Sequence, residues 1–444
     1  MGRLERAPRR ATWLGGATLL LAPLAAAAWD LDWTASLGYG YSDNLGRRTI
    51  DEVSGNTIRP SLAFTLTEEG EAVDASATGL LSYSYYTGDG DFQPQFGLDG
   101  GAHIAWTLVP ARMLWTFDDY ASQQPIEEFA TQSPDNTQIT NVFSTGPTFL
   151  FRISDAAAAR SELRYVNSYA EEGDDFNSDR GIATFQLLRR VSPLSTISGN
   201  AGVEVVRLEQ PDELTPDFER YPLFGTWTRT SGNDTLSVDL GWNWVDPDGF
   251  DTRDGLLARV DAEYRLTQLS SIDVAYAHQL MDEAGSLLGQ ASDIDALLLP
   301  VTSGSAFDTG TITADVFEQD RVDAGYQHDG ARTTWRVSGY ATQQDYSENT
   351  ALNRKTLGVA ALFDYRVSRL SSLGVFAVQT RQSYEESDLE FDESEFGIRW
   401  RYSILRNLSF SLEVARASRD SNAPLDDYEE SRVWAEISWS RPRG

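Results

Sequence analysis

The sequence predicts an all-β protein, a transmembrane antiparallel up-and-down β-barrel of about 20 strands, with 18 strands as the alternative. Three observations predict this fold. Apolar or aromatic residues occupy every second position over segments of about ten residues, polar turns separate these segments, and short connections alternate with long ones. A soluble β-sandwich shares the first pattern but has no reason to alternate its connection lengths.

The clearest strand lies near the end of the chain. Its apolar positions are Phe396, Ile398, Trp400, Tyr402 and Ile404, and polar residues or glycine stand between them. Side chains on a strand alternate between the two faces of the sheet. One face of this strand is therefore suited to hydrocarbon and the other to water.

The first 28 residues resemble a secretory signal peptide. Four arginines (Arg3, Arg6, Arg9 and Arg10) precede an apolar run at 13–21, and small residues follow at 25–28. The run is too short to span a bilayer, so we expect it to be removed after export. The expected organisation is a signal peptide at 1–28 and a single barrel domain at 29–444.

The rest of the chain divides into the predicted strands. They are 30–42, 56–66, 72–86, 96–108, 112–121, 138–153, 157–169, 178–191, 195–208, 218–230, 234–245, 255–266, 270–280, 311–327, 332–344, 355–367, 371–381, 393–404, 407–417 and 430–439. An even strand number is typical of single-chain bacterial barrels.

The connections indicate which end of the barrel faces which side. Short links are predicted at 68–70, 109–111, 154–156, 192–194, 231–233, 267–269, 328–330, 368–370 and 405–406, and long links include 122–136, 281–310 and 418–428. Short turns face the periplasm in such barrels, so both termini are expected there. Because the first strand begins at the expected cleavage site, the sequence argues against an N-terminal plug of the energised siderophore-transporter kind.

The link at 281–310 is the longest and the only apolar one. Two interpretations are open. It folds into the barrel as a constriction or gate, or it is an outward loop that packs on its neighbours.

Composition fits an exported barrel. The chain has no Cys, so no disulfide framework, and its 12 Trp, 18 Tyr and 20 Phe suit the aromatic girdles at the two bilayer interfaces. A net charge of −31 excludes nucleic acid as a partner. The acidic runs at 171–175 and 385–388 are either solvated loops or loops that bind divalent cations shared with lipopolysaccharide.

Charged residues on the polar face of the strands are the candidate site. An Arg at the bilayer midplane would cost about 2–4 kcal/mol on the lipid side, so these charges are assigned to the lumen. Two roles are open for them: cross-strand ion pairs that brace the wall, or a conduit for an anionic polymer or solute. The residues are Arg164, Arg180, Arg190, Arg259, Asp261, Glu263, Arg336, Arg399, Arg401, Glu413, Arg432 and Glu436.

Catalysis finds little support in the sequence. His103 and His278 lie within predicted strands, His328 lies in a predicted turn, and no HExxH or GxSxG motif accompanies them. No catalytic residue, cofactor or metal ligand is predicted. A lipid hydrolase is the less favoured alternative, because such an enzyme needs a His, a nucleophilic Ser and an orienting group together on one face.

Three segments, at 35–45, 141–147 and 437–440, resemble a family of β-barrel outer-membrane proteins often encoded in exopolysaccharide or PEP-CTERM/exosortase loci. The resemblance implies a Gram-negative outer-membrane barrel with porin-like passage, export or assembly of extracellular polysaccharide. Outer-membrane lipid, lipopolysaccharide, the polysaccharide and periplasmic export components are the implied partners. One departure is the end of the chain, because Arg441 to Gly444 follow Trp439, whereas such barrels commonly end in an aromatic residue.

A function of another class is also open. The chain could be a structural or adhesive surface barrel with a blocked lumen and acidic binding loops. Conductance separates the two hypotheses, since only an open lumen passes current.

Overall fold

The computed structural model describes residues 29–127, 130, 131, 133–172, 176–211, 215–291, 315–423 and 427–441. The expected signal peptide at 1–28 lies outside these residues. The first half of the sheet comprises β1 (Asp30–Ser42), β2 (Gly55–Glu69), β3 (Val73–Gly88), β4 (Gln95–Val109), β5 (Met113–Gln124), β6 (Gln138–Arg152), β7 (Ala157–Ala170), β8 (Ser178–Ser192), β9 (Ser195–Leu208) and β10 (Phe218–Thr230). The second half comprises β11 (Asp234–Pro247), β12 (Arg253–Thr267), β13 (Ser270–Met281), β14 (Phe317–Asp329), β15 (Thr333–Tyr346), β16 (Arg354–Arg366), β17 (Ser371–Tyr384), β18 (Glu390–Leu405), β19 (Leu408–Ser421) and β20 (Tyr428–Ser440).

A helix, α1 (Glu283–Ala291), follows β13, and a 3-10 turn, Thr350–Leu352, precedes β16. Among the described residues, no helix is long and apolar enough to cross a membrane.

The predicted all-β barrel is confirmed, with 20 antiparallel strands in one sheet. The sheet closes because β20 pairs with β1, from Ser42 opposite Arg432 to Thr34 opposite Ser440. Closure matters physically, since an unpaired N–H or C=O in hydrocarbon costs several kcal/mol. A closed sheet has no edge strands on which such groups would be left.

Most strand ends differ from the predicted ones by one to four residues, and the largest difference is the start of β14. β14 begins at Phe317, not at 311, because Val316 packs in an apolar cluster and Asp315 accepts the backbone N–H groups of the loop at 348–349. Residues 311–314 lie outside the described part. His328, predicted in a turn, lies in β14 opposite Ser270, because the hairpin remains paired close to its turn.

The face directed away from the lumen carries the apolar rows. Leu37, Leu240 and Ile398 expose 58, 61 and 54% of their surface. Aromatic residues gather at the end with the short turns, where the Trp33 and Trp439 rings lie 4.9 Å apart edge to face. This is the exposure expected where lipid, rather than a second sheet, covers the outward face.

A second aromatic row lies at the end with the long loops. Each of its rings donates a hydrogen bond to a polar side chain that lies closer to the loops. The Trp242 indole donates to Asp254 at 2.7 Å, and the Tyr276 hydroxyl donates to Asp320 at 3.1 Å. Tyr39 donates likewise to Asn56 at 2.8 Å. Rings with an apolar body and a polar tip suit a membrane–water interface. The two rows therefore bracket the apolar band.

The wall is interrupted at the long-loop end between β12 and β13. Their pairing ends at Ala258 opposite His278, although β12 pairs with β11 up to Arg253. Arg253 donates to the Ser347 carbonyl at 2.6 Å and to Glu348 at 2.9 Å, in the loop that follows β15. The end of β13 and the start of β14 therefore lie on the lumen side of this contact.

A second interruption lies between β4 and β5. Their pairing ends at Gly100 opposite Ala121, and the backbone N–H of Gln123 donates to the Asp99 carboxylate at 3.1 Å instead of to a carbonyl. At the long-loop end the wall thus forms two arcs. One arc consists of β5–β12, and the other consists of β13–β20 together with β1–β4, since β20 pairs with β1.

Candidate functional site

The link after β13 enters the lumen. Ala284 and Leu287 of α1 pack against Val142 of β6 and Val166 of β7. Both valines lie on the buried, inward rows of their strands. The described part of the link therefore takes the first of its two predicted arrangements, folding inward, and residues 292–314 lie outside the described part.

The segment before α1 is held across the same arc. The Leu280 carbonyl accepts a hydrogen bond from the Asn243 side chain of β11 at 2.9 Å. The Leu280 side chain packs with Val206, Val245 and Val316. These inward positions near the long loops are apolar, so the mouth of the β5–β12 arc is filled by side chains.

A buried ion cluster fixes this inward segment. It consists of Arg180 of β8, Glu204 of β9, Arg220 of β10 and Asp282 of the link. Arg180 lies 2.5 Å from Asp282 and 3.3 Å from Glu204, and Arg220 contacts Glu204. The Arg180 and Asp282 side chains are both 0% exposed.

The charge state of Asp282 follows from this surrounding. Burial by itself would raise the pKa of Asp282, but Arg180 and then Arg220 outweigh it and hold the pKa below its usual value. The carboxylate is therefore ionised at neutral pH, so the link is held to the wall by an ion pair.

The other arc encloses a cavity of about 2020 Å³. Its described lining comes from β13–β20, β1–β5, the loop after β5 and Ser286 of α1, with no residue between 138 and 272. The lining includes Arg406 and Arg441 near the short turns and Arg47 and Pro134 near the long loops. The cavity therefore extends from one end of the barrel towards the other.

Aromatic rings inside this cavity lie flat over glycines. Trp434 covers Gly38 and Gly40, where a Cβ atom would clash with the indole, and the Arg59 guanidinium stacks over the ring at 5.0 Å. Tyr340 covers Gly358 in the same way, with Arg321 above it at 5.1 Å. A third stack is formed by Gly397, Phe376 and Arg399, with Arg399 5.8 Å from the ring. The stacks fix the arginine side chains against the wall.

Most of the predicted lumen arginines contact carboxylates. Arg399 lies 2.7 Å from Glu413, its register partner on β19. Arg259 lies 2.8 Å from Asp239, and Arg432 contacts Glu395. These contacts support the bracing role more directly than an arginine conduit.

Arg164 has a separate structural role. Pro147 on β6 lacks the N–H that a ladder hydrogen bond needs, and β6–β7 pairing is interrupted there. The Arg164 side chain donates to the Pro147 and Leu163 carbonyls, each at 3.1 Å. It thereby satisfies carbonyls beside the gap.

The remaining predicted residues are more dispersed. Asp261 and Glu263 follow Arg259 on the inward row of β12, Arg336 and Glu436 line the cavity, and Arg190 and Arg401 are exposed near the short turns. Sequence reasoning missed Glu204, Arg220, Asp282, Glu395 and Arg59. Arg432 of β20 reaches Glu395 of β18 across β19, where Ala415 and Ala417 are their register partners, so facing register gave no signal for Glu395. Nothing in the pattern signalled Asp282.

The three histidines occupy separate sites. His103 contacts Asp118 at 2.6 Å, His278 contacts Asp320 at 2.9 Å, and His328 contacts the Ser270 hydroxyl at 2.8 Å. They lie on different strands or at opposite ends of the β13–β14 pair, so they do not combine into one site.

Comparison with known proteins gives similarity to solved structures only. No family model and no curated protein matches the chain. The ferric enterobactin receptor PfeA of Pseudomonas aeruginosa, in complex with BCV-L6, is 8% identical with a TM-score of 0.49, over 94% of this chain and 82% of that one.

Two further solved structures are similar. The copper transporter OprC is 12% identical, with a TM-score of 0.41, over 93% of this chain and 80% of that one. OccK5 (OpdH) of Pseudomonas aeruginosa is 10% identical, with a TM-score of 0.37, over 93% and 98%. At these values, nothing about ligand or transport follows for this chain.

Proposed function

We propose that this chain is an outer-membrane barrel that provides a porin-like passage for an extracellular polysaccharide or its precursors. The observation that carries the proposal is the cavity of about 2020 Å³ that follows one arc of the wall between the two ends of the barrel. The apolar outward face, bracketed by two aromatic rows, supports a membrane location.

The character of the cavity supports a neutral, hydroxyl-rich solute. Its lining includes many Ser, Thr and Gln side chains, such as Ser61, Thr78, Gln319 and Thr380. Hydroxyl and amide groups can replace water around sugar hydroxyls by donating and accepting hydrogen bonds. Because the arginines Arg399 and Arg432 contact carboxylates, the lining does not present one sign of charge to an anionic polymer.

The inward link supports control of the passage. It fills the mouth of the β5–β12 arc and leaves the cavity along the other arc. The passage is therefore narrower than a barrel of this strand number would give without the link.

Planar-bilayer conductance and liposome swelling test the proposal. The purified full chain should pass current and admit neutral oligosaccharides into liposomes, with slower entry as oligosaccharide length increases. A reconstituted barrel that passes neither ions nor sugars would support the structural or adhesive alternative with a blocked lumen.

Testing the same preparation for lipid hydrolysis addresses the remaining alternative. We expect no fatty-acid release.

A further inference from the structure

The outward face of β13 and β14 brings one imidazole against two carboxylates near the long loops. His278 Nδ1 lies 2.9 Å from Asp320 Oδ1, its register partner, and His278 Nε2 lies 3.6 Å from Glu318 Oε1. The His278 side chain is 18% exposed and both carboxylate side chains are 47% exposed. Solvent can therefore reach the group from the carboxylate side.

This arrangement is unusual within the chain. The sequence has 67 Asp and Glu but only three His. Among the described residues, this trio is the one group of three such side chains whose ligand atoms all lie within 4.8 Å of one another.

The spacing suits a metal ion. Ligand atoms about 2.0–2.2 Å from a tetrahedral ion lie about 3.4 Å apart, close to the 3.6 Å between His278 Nε2 and Glu318 Oε1. Oδ1 of Asp320 accepts from His278 and from the Tyr276 hydroxyl at 3.1 Å. The Tyr276 bond orients the carboxylate, and one ligand atom from each of the three residues lies within 4.8 Å of the other two.

We propose that His278, Glu318 and Asp320 bind a divalent cation of the zinc class. Imidazole with carboxylates suits zinc and the later transition metals, whereas calcium and magnesium prefer sites built of oxygen alone. The site is independent of the proposed passage, since it faces away from the lumen.

The position of the site gives the ion a structural consequence. His278 is the last residue of β13 that pairs with β12. Beyond it, β13 bends inward and leads into the link that fills the lumen mouth. A bound ion joins β13 to β14 at the point where support from β12 ends.

Zinc titration of the detergent-solubilised full chain tests the proposal, with isothermal calorimetry as the readout and thermal unfolding as a second measurement. Wild type should bind zinc at one site that millimolar magnesium does not displace, and zinc should raise its unfolding temperature. His278→Ala should lower the affinity about 100-fold or more, and Glu318→Gln about 10-fold. His278→Ala should lose the zinc-dependent rise in unfolding temperature, and Glu318→Gln should show a smaller rise than wild type at the same zinc concentration.

His103→Ala is the matched control. His103 also contacts an aspartate, at 2.6 Å, but is not part of the trio. This variant should bind zinc like wild type. Absence of zinc binding by wild type, or unchanged binding by both His278→Ala and Glu318→Gln, overturns the proposal.

Discussion

Arg180 and Asp282 form an ion pair 2.5 Å long in which neither side chain reaches solvent. One residue belongs to the wall and the other to the link that enters the lumen, so this contact joins the link to the wall. Breaking one partner of a buried pair costs about 3–5 kcal/mol, because the remaining charge is left uncompensated.

Asp282→Ala should therefore release the link. We expect larger single-channel conductance and faster hydrogen exchange in 283–287 than in wild type. The exposed pair Arg416–Glu429, also with a short separation of 2.6 Å, provides the control. Glu429→Ala should change neither measurement, because exposed pairs contribute at most about 1 kcal/mol. Equal conductance in wild type and Asp282→Ala would show that the link does not restrict flow.

Ion selectivity should depend on the braced charges. Replacing Arg399, Arg401 and Arg432 by Gln removes positive charge beside Glu413 and Glu395, so the reversal potential in a salt gradient should shift towards cations. Replacing Glu395 and Glu413 by Gln should shift it towards anions. Unchanged potentials in both variants would mean that these side chains brace the wall without influencing permeation.

Asp315 should make stability depend on pH. Burial raises the pKa of Asp315 to about 6, against the opposing effect of hydrogen bonds from the N–H groups of Asn349 and Glu348. Because the folded pKa exceeds the unfolded value of 3.8, the folded state binds the proton first as pH falls. The stabilisation from this group is complete below pH 3.8 and is lost as pH rises through about 6.

The measurement is thermal unfolding of wild type and Asp315→Asn at pH 4.5 and 7.5. Wild type should gain stability relative to the variant as pH falls between these values. Asp251→Asn, in an exposed loop, is the control and should follow wild type. An Asp315→Asn protein with the wild-type pH response would contradict the assignment.

The glycine beneath Trp434 should not tolerate a side chain. A Cβ atom on Gly40 would overlap the indole, so Gly40→Ala should destabilise the barrel by about 1–3 kcal/mol through forced displacement of the ring. At Gly199 a Cβ atom meets nothing within 4 Å, so Gly199→Ala should stay within about 0.5 kcal/mol of wild type. Urea unfolding in lipid vesicles measures both.

The lipid-facing row can be tested by placing a charge in it. Ile398→Arg should cost about 2–4 kcal/mol of stability in a bilayer. Thr380→Arg puts the same side chain in the cavity, opposite Glu393 in register. We expect this control to retain wild-type stability, whereas equal losses in the two variants would argue against a lipid-covered outward face.

The strand pattern predicted most of the architecture because each strand must alternate to face two solvents. This constraint extends over the whole strand, so Phe396 to Ile404 show it without knowledge of their neighbours. It also fixes hairpin register, which is why Arg399 and Glu413 could be expected side by side.

Features that break the alternation could not be derived in this way. Val142 and Val166 stand on the inward, polar row, and only the approach of α1 explains their apolar character. Trp434, Tyr340 and Phe376 are also inward, and their signal is a glycine on the neighbouring strand. In the sequence, Asp282 looks like any acidic loop residue. Its burial depends on Arg180, Glu204 and Arg220, which are far from it along the chain.

The two interruptions in the wall have a mechanical consequence. Near the short turns each hairpin stays paired almost to its turn, so widening there would tear continuous ladders. Near the long loops the ladder of β4 with β5 ends at Gly100 and the ladder of β12 with β13 ends at Ala258, so only isolated hydrogen bonds, such as the one from the Gln123 N–H to the Asp99 carboxylate, resist separation there. Deformation of the barrel is therefore expected to concentrate at the long-loop end, where the two arcs are joined less continuously. The short-turn end should keep its circumference.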